Sequence, residues 1–68
     1  MFLNNLKQHY DRLSVSEQEV IDYLMRQEEV ETITLKTIAN ELFISSSTVI
    51  RACKKLGYQT YNELRYDL

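Results

Sequence analysis

A short stretch near the C-terminal end of the sequence combines hydroxyl and basic side chains without a carboxylate. The stretch SSSTVIRACKKLGY, residues 45–58, carries three positive charges and no acid, in a chain whose formal net charge is −2. Arginine and lysine bind phosphates, and the planar guanidinium also matches the two acceptors of a guanine edge. Serine and threonine hydroxyls bond to phosphates or bases. These residue types in one stretch indicate a surface for a nucleic acid.

Helical geometry divides this stretch into two faces. At 100° per residue, an apolar arc of about 100° is formed by four residues. They are Val49, Ala52, Cys53 and Leu56. The opposite arc contains no carboxylate and consists of Ser47, Arg51, Lys54 and Lys55. We therefore predict a helix over residues 46–56 that buries the first face and exposes the second.

The exposed face has the composition of a recognition helix in the major groove of double-stranded DNA. DNA carries a phosphate charge every ~1.7 Å of its axis, which favours Lys and Arg and penalises Asp and Glu on such a helix. Arg51 is predicted to contact a guanine directly, whereas Lys54 and Lys55 are predicted phosphate contacts. The short side chains at the helix start let the backbone approach the bases. The predicted DNA-binding residues are Ser46, Ser47, Thr48, Arg51, Lys54 and Lys55.

Several of these residues also have a purely structural interpretation. Lys54 and Lys55 lie in the last turn, where cations complement the helix dipole, and Ser45 is expected to be a helix cap. Arg51 lies in the middle of the helix, where the dipole explanation is weaker. The combination of residues, and no single one of them, favours DNA binding.

Other reactive or apolar residues nearby are expected to pack. Cys53 lies on the apolar arc and is predicted to be a small core residue. Ile50 either covers the neighbouring helix, which we favour, or meets a thymine methyl group. Tyr58 and Tyr61 are expected to pack, although either hydroxyl group could reach a phosphate.

Capping boxes and hydrophobic staples predict where the other helices begin. The first segment is predicted to form a helix that ends near Leu13. Its apolar face consists of Leu3, Leu6, Tyr10 and Leu13. A second helix is predicted to start at a Ser16 cap, closed by Glu19 and flanked by the staple pair Val15 and Val20. Its apolar stripe is Val20, Ile21, Leu24 and Met25. The charged residues 28–31 are expected to form a solvated connector.

The same logic predicts three further helix starts. Thr34, with staple residues Ile33 and Ile38, precedes a third helix of about eight residues. Its stripe is Leu35, Ile38, Ala39 and Leu42. The Ser45 cap, with Ile44 and Val49, begins the predicted recognition helix. After Gly57, a good helix-ending residue, Thr60 and Glu63 form a capping box that starts a last helix near Tyr61.

These elements predict an all-α fold. The sequence has no Pro and only one Gly, so the tight turns of a β-hairpin wing are not expected. A helix, a three-residue turn and a helix over residues 35–54 form the outline of a helix-turn-helix, with small Ala39 where the two helices cross. We predict one domain, residues 1–68, built as a helix-turn-helix bundle of about five helices without a wing, with its core unit at 35–56.

Composition argues against other classes of function. A single Cys and a single His exclude an internal disulfide and fall short of a zinc site, so no metal and no cofactor are expected. Paired carboxylates, a nucleophile with a base and a phosphate-binding Gly loop are not visible, so the chain is not expected to be an enzyme. The lack of a long apolar run or an export signal predicts a cytoplasmic protein that does not enter membranes.

Uneven charge leaves one alternative function open. Residues 1–44 carry four basic and eight acidic side chains, whereas residues 45–68 carry four basic and two acidic ones. The acidic first part and the apolar first helix also fit a helical protein-interaction or dimerisation module. The two functions are compatible, since small helix-turn-helix domains commonly bind paired half-sites as homodimers.

The order of these motifs resembles a known family. LSVSEQEVIDYL at 13–24, TLKTIANEL at 34–42 and SSSTVIRACKKLGYQTYNEL at 45–64 are similar to the N-terminal DNA-binding domain of RpiR-family bacterial transcriptional regulators. The most specific part is the pattern T-V-x-R-x-C-K-K-L-G-[FY]. The resemblance implies a helix-turn-helix bundle that regulates sugar or amino-sugar genes.

The resemblance also implies features that this sequence lacks. The family usually has a C-terminal sugar isomerase (SIS) domain that binds a phosphosugar effector. The sequence ends at Leu68, so we interpret it as either an isolated DNA-binding domain or a truncated protein, and we expect the effector site to be missing from residues 1–68. The family also usually has Gly in the turn where this sequence has Phe43, and a Phe at positive φ is strained by about 1 kcal/mol or more. We therefore expect either another turn conformation or burial of Phe43.

Overall fold

The computed structural model describes residues 2–68 and shows five α-helices in this range. They are α1 (Phe2–His9), α2 (Val15–Met25), α3 (Leu35–Leu42), α4 (Ser46–Lys55) and α5 (Tyr61–Asp67), with one 3₁₀ turn at Tyr10–Arg12. The described residues contain no strand, so the predicted all-α bundle of about five helices is confirmed. None of these helices has the length and apolar character needed to cross a membrane.

Helix α4 lies at the centre of the packing. It contacts α2, α3 and α5, and its contact with α2 is the most extensive between any two helices described. Its predicted inner arc is completely buried, as Val49, Ala52, Cys53 and Leu56 each have 0% exposure. Because burying a large aliphatic side chain stabilises a fold by about 1.5–3 kcal/mol, this arc fixes the orientation of α4. Its opposite face is therefore held toward solvent.

The first helix differs from the prediction in its end and in its buried face. It ends at His9, and a 3₁₀ turn closed by the Leu13 N–H and the Tyr10 carbonyl, 3.1 Å apart, continues to Leu13. Leu3, predicted to lie on the apolar face of this helix, is 66% exposed, whereas Phe2 is 5% exposed and belongs to the core. Both residues lie within one turn of Leu6, and the larger aromatic ring gains more from burial.

The second helix starts two residues before the predicted cap. Its N-cap is Ser14, and the capping box is closed by Glu17, so the prediction of Ser16 and Glu19 was wrong. The Ser14 N–H donates to Glu17 Oε1 at 2.8 Å, and the Glu17 N–H donates to Ser14 Oγ at 3.2 Å. The motif S-x-x-E occurs twice in overlapping frames, and the frame used is the one that buries Leu13 and exposes Val15.

This shift also changes the buried stripe of α2. Val20, Ile21 and Leu24 are buried as predicted, but Met25 is 51% exposed. The stripe instead continues toward the helix start with Glu17, which is 2% exposed. A carboxylate thus occupies a position that the spacing assigns to the core.

Helices α3 and α4 begin at the predicted caps. The Thr34 hydroxyl accepts from the Thr37 N–H at 3.1 Å, and the Ser45 hydroxyl accepts from the Thr48 N–H at 3.2 Å. The staple residues Ile33 and Ile38 are buried, and α3 has the predicted eight residues. Local sequence therefore determines where each helix of the helix-turn-helix unit begins.

The C-terminal end of α4 and the start of α5 also lie where the sequence predicted them. Gly57 has φ 96 and ends α4 in a Schellman motif, in which the Tyr58 and Gly57 N–H groups donate to the carbonyls of Cys53 and Lys54. Thr60 caps α5 by accepting from the Glu63 N–H at 3.2 Å. Within residues 2–68 the reciprocal bond from the Glu63 side chain is not formed, so only half of that capping box is present.

The turn between α3 and α4 departs from both expectations for Phe43. Phe43 adopts the left-handed conformation with φ 56 and ψ 43, and its side chain is 95% exposed. The Ile44 N–H donates to the Ala39 carbonyl at 3.0 Å, which completes the same kind of turn that glycine forms after α4. The expected alternative conformation and the expected burial were both wrong, because the hydrogen bonds of the turn require this backbone.

Replacing Phe43 by glycine should therefore stabilise the domain. The left-handed conformation costs a residue with a Cβ about 1–2 kcal/mol, and the extra freedom of glycine in the unfolded chain cancels about half of this gain. We expect the free energy of unfolding in urea to rise by about 0.5–1 kcal/mol. Gly57→Ala is the matched control: it should lower that free energy by about 1 kcal/mol through backbone strain alone, since an added Cβ would meet no atom within 4 Å. A Phe43→Gly variant that unfolds at a lower urea concentration would contradict this account.

Candidate nucleic-acid interface

The exposed face of α4 contains most of the predicted DNA-binding residues. Ser46, Ser47, Arg51, Lys54 and Lys55 are exposed, whereas Thr48 is buried. Helix α4 contains no acidic residue. The structure thus brings five of the six predicted residues to one exposed helix surface. These residues differ in whether their side chains bind other groups of the domain.

Arg51 is exposed and oriented by two neighbours. Its Nη2 donates to the Thr48 hydroxyl at 3.3 Å, and its Nε lies 3.5 Å from Glu17 Oε2. The side chain remains 60% exposed. The other N–H groups of the guanidinium have no partner among residues 2–68, so they can still donate to an acceptor outside the domain.

Thr48 supports this arrangement from below the surface. Its hydroxyl lies 3.0 Å from the Ser45 hydroxyl and accepts from Arg51. Because Thr48 is 9% exposed, its position suits the orientation of Arg51 better than a contact with a base edge.

Lys55 connects α4 to the start of α2. Its Nζ donates to Glu17 Oε1 at 2.7 Å and to the Arg12 carbonyl at 3.2 Å. Its side chain is 39% exposed, compared with 3% for Glu17. Lys55 is thus bound to a carboxylate of the domain itself.

Lys54 has no such partner. It is exposed, and no carboxylate in residues 2–68 lies within salt-bridge distance of it. Ser46 and Ser47 are exposed on the first turn of α4, about two turns before Lys54, and their side chains form no hydrogen bond within the described range. These three side chains and Arg51 are available to an external partner.

Glu17 is the functional candidate that the sequence prediction missed. Burial alone would raise the pKa of Glu17. Hydrogen bonds from Lys55 and Ser14 and the positive charge of Lys55 together have a larger effect in the opposite direction, so the pKa of Glu17 lies below its usual value. The carboxylate is therefore charged at neutral pH and positions both Arg51 and Lys55. Two signals indicated it: the S-x-x-E frame beginning at Ser14 and the helical spacing from Glu17 to Val20 and Ile21.

Sequence comparison agrees with this geometry. The model of a family described as a helix-turn-helix domain, rpiR family, matches residues 1–68. The chain belongs to the rpiR family of helix-turn-helix domains. The resemblance found in the motifs is confirmed, and the domain is of the DNA-binding type found in regulators of transcription.

Two curated relatives of this rpiR-family domain are bacterial regulators. The chain is 28% identical to an uncharacterised HTH-type transcriptional regulator of Haemophilus influenzae over 67 residues, which are 97% of the chain and 23% of the relative. It is 31% identical to the uncharacterised HTH-type transcriptional regulator YfhH of Escherichia coli (strain K12), over 97% of the chain and 24% of the relative. The chain thus spans about a quarter of the length of these relatives. No solved structure shows a significant match to it.

Other conspicuous side chains of the rpiR-family domain have internal roles. Cys53 is fully buried, which confirms it as a core residue, and this burial raises the pKa of its thiol to about 11. The Tyr61 hydroxyl donates to the Ile33 carbonyl at 2.6 Å, and the Tyr58 hydroxyl donates to Asp67 Oδ2 at 2.5 Å. Both tyrosines pack as expected, and their hydroxyl groups are already used. Residues 2–68 contain no group of ligands that could hold a metal ion.

Ile50 lies at the edge of the core and is 36% exposed. It lines a surface groove together with Leu35 of α3. Its position between the neighbouring helix and solvent is compatible with the packing role that the sequence favoured.

Glu17→Gln should lower the stability of the domain in a pH-dependent way. The amide keeps the size of the side chain but loses the charge that holds Lys55, so we expect a loss of about 1–2 kcal/mol at about pH 7. Because the folded pKa is lowered, the contribution of the charge is present above the usual pKa of the carboxyl group and disappears as the pH falls through the folded value. The difference between the two proteins in urea unfolding should therefore shrink below about pH 4.

Ser14→Ala is the control for this experiment. It removes the hydroxyl that caps α2 and should cost about 1 kcal/mol, with little dependence on pH, because Glu17 and Lys55 remain. A pH-independent loss in Glu17→Gln would show that capping, and not the ion pair, accounts for the role of Glu17.

Proposed function

We propose that this domain binds specific DNA sequences through α4, which enters the major groove as the recognition helix. The observation that carries the proposal is the division of α4 into a completely buried apolar arc and an exposed face with cations and hydroxyls but no acid. A groove lined by phosphates favours this composition, since Lys and Arg replace the counterions of DNA.

The exposed side chains divide into two proposed groups. Arg51 contacts a base edge, most favourably the O6 and N7 acceptors of guanine, while Lys54 contacts a phosphate. Ser46 and Ser47 lie on the first turn, where hydroxyl groups bond to bases or phosphates. Thr48 and Lys55 belong to the same interface but mainly position other parts of it. Thr48 orients the Arg51 side chain, and Lys55 connects α4 to α2.

The wider biological role is proposed from the family. We infer a non-enzymatic, cytoplasmic regulator of sugar or amino-sugar metabolism genes, by analogy with the RpiR resemblance. Since the chain spans about a quarter of its curated relatives, a phosphosugar effector would bind a separate C-terminal domain. Whether transcription is activated or repressed depends on where the operator lies.

A second role, homodimer formation, is supported by one surface of the structure. Leu3 and Met25 are 66% and 51% exposed and line one groove, which also includes the loop after α2 and the C-terminal end of α5. Two copies joined there would place two recognition helices on paired half-sites. Sedimentation that shows tight dimers without any DNA binding at low salt would instead favour a pure dimerisation module.

Substitutions on α4 test the proposed function. Arg51→Ala should weaken binding to a selected duplex by about 1–3 kcal/mol and relax the preference at one base pair. Lys54→Ala should weaken selected and random duplexes alike and reduce the slope of log affinity against log salt by about 1. The measurement is a fluorescence anisotropy titration at several salt concentrations, with a duplex selected from a random library. Unchanged affinity after the charge reversal Arg51→Glu would refute the role of α4.

A further inference from the structure

A surface groove of about 550 Å³ lies beside the proposed recognition helix. Residues of α3, α4 and α5 and of the loop before α5 line it, and Ile50 and Lys54 of α4 form the side that adjoins the exposed basic face. The groove is therefore continuous with the surface that we propose to contact DNA.

The groove is positively charged in an acidic chain. Its nine lining residues include Lys54 and Arg65 and no carboxylate, although the sequence has ten acidic residues. The other polar lining residues include Gln59, Thr60 and Asn62, whose amide and hydroxyl groups can donate to phosphate oxygens. Two other surface grooves contain carboxylates, Glu28 and Asp67 in one and Glu28 and Glu31 in the other. The second of these also includes Asn62 and Arg65, so Arg65 lies between a groove without a carboxylate and one with two.

The two flanks of α4 differ in how their cations are paired. On the side that faces α2, Arg51 and Lys55 lie next to the Glu17 carboxylate. On the groove side, neither Lys54 nor Arg65 has a carboxylate within salt-bridge distance in residues 2–68. On the groove flank, Lys54 and Arg65 therefore form no direct ion pair within the described residues.

Arg65 is fixed in place without losing its charge. Its Nη1 donates to the Glu31 carbonyl at 2.9 Å, and its guanidinium carbon lies 5.7 Å from the centre of the Tyr61 ring. Both contacts orient the guanidinium without a neutralising anion, and its remaining N–H groups can bind phosphate oxygens.

We propose that this groove binds the sugar-phosphate backbone of one DNA strand next to the major groove that α4 enters. The major groove is about 12 Å wide, close to the diameter of a helix with its side chains, so the surfaces on either side of a recognition helix face the phosphates. The proposal rests on the proposed function, and it extends the interface from α4 to the loop before α5 and to α5 itself. Bound phosphates there would set the depth and angle of α4 without contributing base preference.

Adding charge to the groove tests the proposal. The double variant Gln59→Glu and Asn62→Asp introduces two carboxylates at exposed lining positions whose side chains form no hydrogen bond within residues 2–68. The matched control, Asn4→Asp and Gln8→Glu, makes the same chemical changes at exposed positions of α1 that do not line the groove. Affinity is measured for a selected duplex and a random duplex over a salt series, after circular dichroism has shown that both variants are helical.

We expect the groove variant to bind both duplexes at least ~10-fold more weakly with a shallower salt dependence, and the control to change affinity by no more than ~3-fold. The base preference should stay the same in both. Asn62→Lys should strengthen binding to the random duplex several-fold, a gain that misfolding cannot produce, while Asn4→Lys should have a smaller effect. Ethylation interference on the selected duplex gives a further comparison of the two proteins. Some phosphates whose ethylation weakens binding of the wild type should have no effect when ethylated in the complex with the groove variant.

The failure of this proposal can be distinguished from the failure of the proposed function. If the groove variant and the control behave alike, while Arg51→Ala still relaxes base preference, the groove does not bind the backbone and α4 remains the recognition helix. If Arg51→Glu leaves DNA affinity unchanged, the proposed function fails, and the groove proposal fails with it.

Discussion

The structure depends on the burial of one side of α4. This helix contacts three other helices of the bundle, and the four residues of its inner arc are fully buried. Rotating α4 by one residue, about 100°, would turn the apolar arc toward water and, in one direction, bring Lys55 to the core, where an unpaired charge is strongly unfavourable. The packing that stabilises the bundle therefore also fixes which side chains face outward. Stability and the proposed DNA contact are two consequences of one helix orientation.

Glu17 links that orientation to the rest of the chain. Its carboxylate closes the capping box of α2 and accepts a hydrogen bond from Lys55, which lies 38 residues away in sequence. Desolvating a carboxylate is costly, and its partners here offset the cost with a short charged hydrogen bond and a backbone N–H. A side chain that starts one helix thus also holds two cations of another, so the register of α2 and the geometry of α4 are coupled.

Features that depend on local sequence were predicted well, and features that depend on distant partners were not. The caps at Thr34 and Ser45, the end of α4 at Gly57 and its inner arc follow from neighbours within one or two turns. The start of α2 could not be assigned in this way, because Ser14 and Ser16 both begin an S-x-x-E frame, and the two frames differ in tertiary contacts: the burial of Leu13 and the hydrogen bond from Lys55 to Glu17. Phe43 is an exception among the local features: strain suggested another turn, but the hydrogen bond from the Ile44 N–H to the Ala39 carbonyl, five residues away, requires the left-handed conformation. The basic composition of the candidate site was visible in the sequence, whereas the pairing of its cations was not.

This pairing matters more for DNA binding than the net charge of −2. Charges separated by more than about 8 Å in water are largely screened at physiological salt, and the domain measures 27 × 23 × 21 Å. A phosphate at the surface of α4 is therefore affected mainly by the nearest side chains. Among those nearest side chains, Lys55 is bound to Glu17 while Arg51 keeps free donors and Lys54 has no carboxylate partner. An acidic domain can therefore present a basic surface, provided that its carboxylates lie far from that surface or, like Glu17, are buried beneath it.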